Sequence, residues 1–114
     1  MKLNVIAGAL GLAGALLVSP IASAVDADAA QALAKKEGCM KCHAIDKKKE
    51  AKSFTEISKK FAGKADAEEK ILHHLTSGEK VKMEDGTEED HKIIKTKDEG
   101  ERKNLIAWIL SLSK

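Results

Sequence analysis

The sequence predicts an all-α domain, and three observations carry that expectation. Short segments repeat apolar residues at i, i+3, i+4 and i+7, the spacing of one helix face. Three of them are preceded by a capping box: Ser53-x-x-Glu56, Asp66-x-x-Glu69 and Thr96-x-x-Glu99. No stretch alternates apolar and polar residues in the manner of a half-buried strand.

The chain opens with Met1-Lys2, runs apolar from Leu3 to Val18, and reaches the small-residue site Ala22-Ser23-Ala24 after Ser19-Pro20. This is the layout of a secretory signal peptide over residues 1–24, with cleavage expected after Ala24. An uncleaved anchor is the competing reading, but the apolar run is short of the roughly 20 residues that a membrane span requires. The second segment, residues 25–114, is then a single domain of about 90 residues, a size at which a cofactor often supplements the core. Aromatic content is 3% and there is no Tyr, so side chains alone would make a thin core.

Asp26 to Glu37 reads as a helix, acidic at its start, with Lys35 and Lys36 in its last turn and Gly38 as its stop. Ala30, Leu33, Ala34 and Glu37 share one stripe, whose small side chains admit close approach by another helix. Gly38 leads directly into Cys39-Met40-Lys41-Cys42-His43.

That pentad is the C-x-x-C-H form of a c-type haem attachment site. Two thiols on one turn of backbone can each close a thioether to one vinyl edge of a single porphyrin, while the adjacent imidazole reaches the iron. Other readings of the pair are open. A disulfide across two intervening residues would be strained and would leave His43 without a role. A thioredoxin-like dithiol needs a preceding strand in a βαβ unit. A zinc site lacks a recognisable second ligand pair. The haem reading accounts for all three residues and agrees with export, since covalent attachment in bacteria is associated with the periplasmic side.

Asp46-Lys47-Lys48-Lys49-Glu50 follows as a polar loop, either simply solvated or able to steer an acidic partner. Phe54, Ile57 and Phe61 form the apolar face of the next helix, which ends at Gly63, and are candidates to touch the haem. Ala67, Ile71, Leu72 and Leu75 form the face of a third helix ending at Gly78. His73 and His74 lie within it, pointing about 100° apart, so they cannot both face one metal. Glu79 to Asp90 reads as loop, with Met83 near its start and Glu88-Glu89-Asp90 before His91. Thr96 is expected to cap the last helix, where Leu105, Trp108, Ile109 and Leu112 share a face.

These pieces resemble a small bacterial class I cytochrome c along residues 25–114: the helix before Gly38, CMKCH, SFTEISKKFAGKADAEEKI and LIAWILSLSK. The resemblance implies a class I cytochrome c fold, three to five helices wrapped around one covalently bound haem c. It implies Cys39 and Cys42 as the thioether residues and His43 as the proximal iron ligand. It also implies packing of the first helix on the last, and a loop before the last helix that delivers the distal ligand. Relatives commonly use Met there; the spacing to Trp108 favours His91, with Met83, which overshoots that spacing, as the alternative. Residues 25–114 contain no Pro, whereas relatives usually carry one after the pentad and one beside the ligand Met.

The expected function is a soluble periplasmic monohaem electron carrier with a six-coordinate iron and no catalytic residues. The alternatives are a gas- or peroxide-binding sensor with a weak or open distal site, and a haem domain serving as an enzyme subunit. Without Lys2, 19 basic side chains face 18 acidic ones, a balance that offers no nucleic-acid surface. Val25 to Lys64 holds 10 basic and 6 acidic residues, while Ala65 to Lys114 holds 9 and 12. The pentad sits in the basic half, so redox partners with an acidic docking surface are expected.

Overall fold

The computed structural model describes residues 24–113; apart from Ala24, the expected signal peptide lies outside them. Helix α1 spans Ala27–Lys36, a 3-10 turn Cys39–Lys41, α2 Phe54–Phe61 and α3 Ala67–Thr76; then come strands β1 Lys80–Lys82 and β2 Glu88–Asp90, and α4 Glu99–Ser111.

Helix α1 starts where its chemistry dictates: the Asp26 carboxylate accepts the Ala29 N–H at 3.0 Å, satisfying one of the free donors of the first turn. It ends because Gly38 takes the left-handed conformation, φ 80°, turning the chain into the pentad. Ala30 and Ala34 are buried, and their small side chains let α1 lie close against α4. Two hydrogen bonds of 2.9 Å pin this crossing, Asp26 N–H to Asn104 Oδ1 and Asn104 Nδ2–H to the Asp26 carbonyl.

The core gathers on α4, where Leu105, Ile106, Trp108 and Ile109 are buried against α1, α2 and α3. Burying each such side chain stabilises the fold by about 1.5–3 kcal/mol. Ile106, which the periodicity did not single out, is 2% exposed because α4 is covered on more than one side. Ser58 of α2 is fully buried, donating its hydroxyl to the Leu110 carbonyl at 2.9 Å and accepting the Ser113 N–H at 3.1 Å. Those bonds fasten α2 to the end of α4 and satisfy a polar group that would otherwise be costly to bury.

Three sequence expectations are corrected. The Ser53 hydroxyl does cap α2, accepting the Glu56 N–H at 3.0 Å, but Asp66 makes no side-chain cap on α3; its carboxylate turns instead to Lys70, 3.1 Å away. Thr96 does not open α4. Asp98 caps it through Glu101 N–H at 2.9 Å, while the Thr96 hydroxyl bonds the Glu101 side chain. Asp98-x-x-Glu101 is the same motif two residues later, and it prevails because residues 94 and 95 are held outside the helix by bonds to Leu75 and Glu37.

The stretch Glu79 to Asp90 is the third correction: it forms an antiparallel hairpin, pairing Lys80 with Asp90, Val81 with Glu89 and Lys82 with Glu88. Apolar alternation is absent because both faces are largely exposed and two of the three cross-strand pairs, Lys80 with Asp90 and Lys82 with Glu88, are oppositely charged. Asp85 closes the turn by accepting from Thr87 N–H at 2.9 Å, and Gly86 takes φ 88°.

Candidate haem-binding site

The loop after the pentad folds back on itself, and that return positions His43. Ala51 N–H bonds the Cys42 carbonyl at 3.0 Å, Phe54 N–H the Ala44 carbonyl at 2.9 Å and Thr55 N–H the Ile45 carbonyl at 2.9 Å. The Lys52 carbonyl is thereby delivered to His43, whose Nδ1–H donates to it at 2.6 Å. A backbone acceptor on Nδ1 fixes the tautomer and leaves the Nε2 lone pair free for a metal. No Pro is needed to supply it. Phe54 stacks on the imidazole, centroids 4.9 Å apart, and Trp108 meets Phe54 edge-on at 5.4 Å. The core of α4 thus braces the ring through one intervening aromatic.

Cys39 and Cys42 are half-buried, unlinked thiols beside this imidazole. Burial pushes both thiols up, reinforced at Cys39 by the nearby Glu37 carboxylate and at Cys42 by its hydrogen bond to Glu50 at 3.6 Å. A dithiol of the thioredoxin kind needs the opposite, a stabilised thiolate.

Across the cleft, the base of the hairpin carries His91. Its N–H bonds the Glu79 carbonyl at 2.8 Å, extending the hairpin by one rung. The His91 ring faces that of His43 with centroids 6.4 Å apart and planes inclined by 49°. Two imidazoles sharing one metal through bonds of about 2.0 Å each bring their ring centres to a separation of about 6 Å. Both rings suit that role in charge as well. Burial pushes His43 down, and burial with His74 and His43 as neighbours pushes His91 down to about 4, so both are neutral at pH 7.

The two histidines stand between a 720 Å³ cavity and a smaller one of 180 Å³, and both line each. The larger is walled by Phe54, Ile57, Phe61, Ile71 and Leu75; the smaller reaches Cys39 and Cys42. Such a volume, mostly apolar and with a few convergent polar atoms, falls in the range of about 300–1,000 Å³ that takes a whole cofactor. The residues fit a haem: thiols at one edge, an imidazole at each face and an apolar slot.

Met83 also lines both cavities, from the hairpin turn, whereas His73 is largely exposed at the outer rim of the larger one. His74, expected only to share α3 with His73 and not to face the same metal, touches the His91 ring at 3.9 Å between centroids. The cavity rim mixes charges: Lys41, Lys52 and Lys92 approach it, and so do Glu89 and Asp90 of the hairpin. Lys48 and Lys49 are partly engaged, Lys48 with Glu84 at 3.8 Å and Lys49 with the Met40 carbonyl at 2.8 Å.

Fold and site together define a small class I cytochrome c. The chain belongs to the cytochrome c family, whose model matches residues 27–113. It is 30% identical over 97 residues to cytochrome c-552 of Hydrogenobacter thermophilus, covering 85% of this chain and 95% of that one. It is 38% identical over 48 residues to cytochrome c-551 of Pseudomonas aeruginosa, a match spanning 42% of this chain and 46% of that protein. The crystal structure of the class 1 cytochrome MtoD from Sideroxydans lithotrophicus ES-1 superposes with a TM-score of 0.76 at 52% identity, covering 80% of this chain and all of that one. Family membership brings one covalently attached haem c and haem-based electron transfer, and Cys39 and Cys42 fit the attachment motif. No helix among the described residues is long and apolar enough to cross a membrane.

Proposed function

We propose that this chain is a periplasmic, non-enzymatic carrier of single electrons whose haem iron is held between His43 and His91. The observation that carries this reading is the 6.4 Å separation of the two rings across the apolar cleft. Cys39 and Cys42 would tether the cofactor, and His43 and His91 would hold its iron. The haem, when bound, supplies one-electron exchange between ferric and ferrous iron. The chain supplies rigidity: Lys52 orients His43 through Nδ1, the hairpin fixes the backbone of His91, and Phe54, Leu75 and Ile109 give the cleft apolar walls. Two imidazoles, in place of imidazole and thioether, set a lower potential than an iron–Met bond would. Cleavage after Ala24 and release to the periplasm follow from the sequence of residues 1–24.

Absorption and paramagnetic-resonance spectra of the mature holoprotein test the ligand set. His91→Ala should turn a low-spin haem high-spin and open it to carbon monoxide, while Met83→Ala should leave it low-spin. A far-red ferric iron–sulfur band in the wild type, abolished by Met83→Ala, would overturn the assignment of His91. Rapid binding of carbon monoxide by the wild-type ferrous form would favour the open-site sensor instead. Location is read separately, by N-terminal mass analysis of the exported protein, and a product retaining residues 3–18 in membranes would sink the periplasmic reading.

A further inference from the structure

The two facing histidines are held in different ways, and the difference points to a residue outside the ligand set. A metal-bound imidazole can turn about its metal–nitrogen axis unless something outside the ring fixes its plane. For His43 that is the Nδ1–H bond to the Lys52 carbonyl. His91 has no counterpart: its Nδ1 is buried and makes no hydrogen bond. What does meet the His91 ring is His74 of α3, at 3.9 Å between centroids and a tilt of 42°. His74 is itself fixed, because its Nδ1–H donates to Glu79 Oε1 at 2.7 Å. Glu79 also accepts the His91 N–H on its carbonyl at 2.8 Å, so one residue ties the ring, through His74, and the backbone of the same histidine.

We propose that His74, clamped by Glu79, is the positioning residue for His91, setting the plane of its imidazole by ring contact where Nδ1 has no hydrogen-bond partner to do so. The inference rests on the assignment of His91 to the iron. Removing the His74 ring frees His91 to rotate and to leave the metal, and a flat apolar ring in its place keeps the contact. Hydrogen-bonding partners that orient a metal ligand are worth about 10–100-fold in affinity, and the ring contact that stands in for one here is expected to act on the lower side of that scale.

The test uses holoprotein carrying His74→Ala, His74→Gln, His74→Phe and Glu79→Ala. Low-temperature paramagnetic resonance of the ferric form reports the relative planes of the axial rings, and stopped-flow mixing of the ferrous form with carbon monoxide reports how readily the distal ligand leaves. His74→Ala and His74→Gln should shift or broaden the largest g value and speed carbon monoxide binding about tenfold or more. His74→Phe should restore both towards wild type, and Glu79→Ala should lie between. A wild-type spectrum and rate in His74→Ala and His74→Gln, with His91→Ala still high-spin, would overturn the positioning role and leave the ligand assignment intact. Should His91→Ala remain low-spin, the ligand assignment fails and this inference with it.

Discussion

The Glu37 side chain accepts the Lys95 backbone N–H at 2.6 Å, joining the end of α1 to the segment that follows His91, 58 residues on. Glu37 is only 5% exposed, so the bond closes a polar group into the core beside the pentad. A hydrogen bond to a charged acceptor contributes about 1.5–3 kcal/mol. Glu37→Ala should therefore lower the stability of the holoprotein by an amount in that range, seen as a lower melting temperature, with Glu37→Gln, which keeps an acceptor, losing less. A Glu37→Ala melt superimposable on the wild type would show that the contact contributes nothing.

Folding should depend on haem. The cleft between α2, α3, the hairpin and α4 leaves apolar side chains such as Ile57 and Phe61 only partly buried, surface that the cofactor would cover, and a domain this small has little other apolar surface to offset its conformational entropy. Cys39→Ala with Cys42→Ala should leave little folded protein, read by far-ultraviolet circular dichroism. Full helicity and a cooperative melt in that double variant would contradict the expectation.

Electron exchange with an acidic partner should slow as ionic strength rises, because Lys41 and the lysine-rich loop after the pentad lie beside the attachment site. The acidic hairpin meets this loop through Lys48 and Glu84, so part of the positive charge is neutralised and Lys41 is the better probe of the steering. Lys41→Glu should reduce the low-salt association rate and flatten its salt dependence. A rate indifferent to salt in the wild type would remove the argument.

Asp66 should titrate below the ordinary aspartate range, chiefly because its carboxylate accepts from Lys70 and, secondarily, sits beside that positive charge. A depressed folded-state value means that its small contribution is fully present above the unfolded value and is lost as pH falls through the folded one. Its full exposure keeps the effect minor. Carbon-detected NMR titration of the Asp66 carboxyl checks it, and Lys70→Met should move the midpoint up towards the ordinary range, with Lys64 still lowering it slightly.

The histidine pair shows how far the sequence reaches. The pentad names Cys39, Cys42 and His43 because covalent chemistry fixes their spacing along the chain, so no tertiary information is needed to read it. The helix faces of α1 and α4 were legible for a similar reason: Ala30, Leu33, Ala34, Leu105, Trp108 and Ile109 recur at the period of the backbone itself. The hairpin was not legible, since two of its three cross-strand pairs join opposite charges on exposed faces and a single apolar residue, Val81, leaves no period to read. The two misplaced caps have a common cause, because a capping motif states which residues can start a helix, while the neighbours of Asp66 and Thr96 decide which one does.

By itself, then, the sequence determined what is local: the attachment pentad, the helix periods and the short list of His91 and Met83. Tertiary structure alone decided that His91 faces His43, that the Lys52 carbonyl orients one ring and His74 abuts the other, and that Ser58 and Glu37 are buried bonds of the frame. The physical reason is distance along the chain. Each of the ring-to-ring contacts and frame bonds joins elements separated by a loop or a helix, and each forms only when the helices and the hairpin close around one cleft.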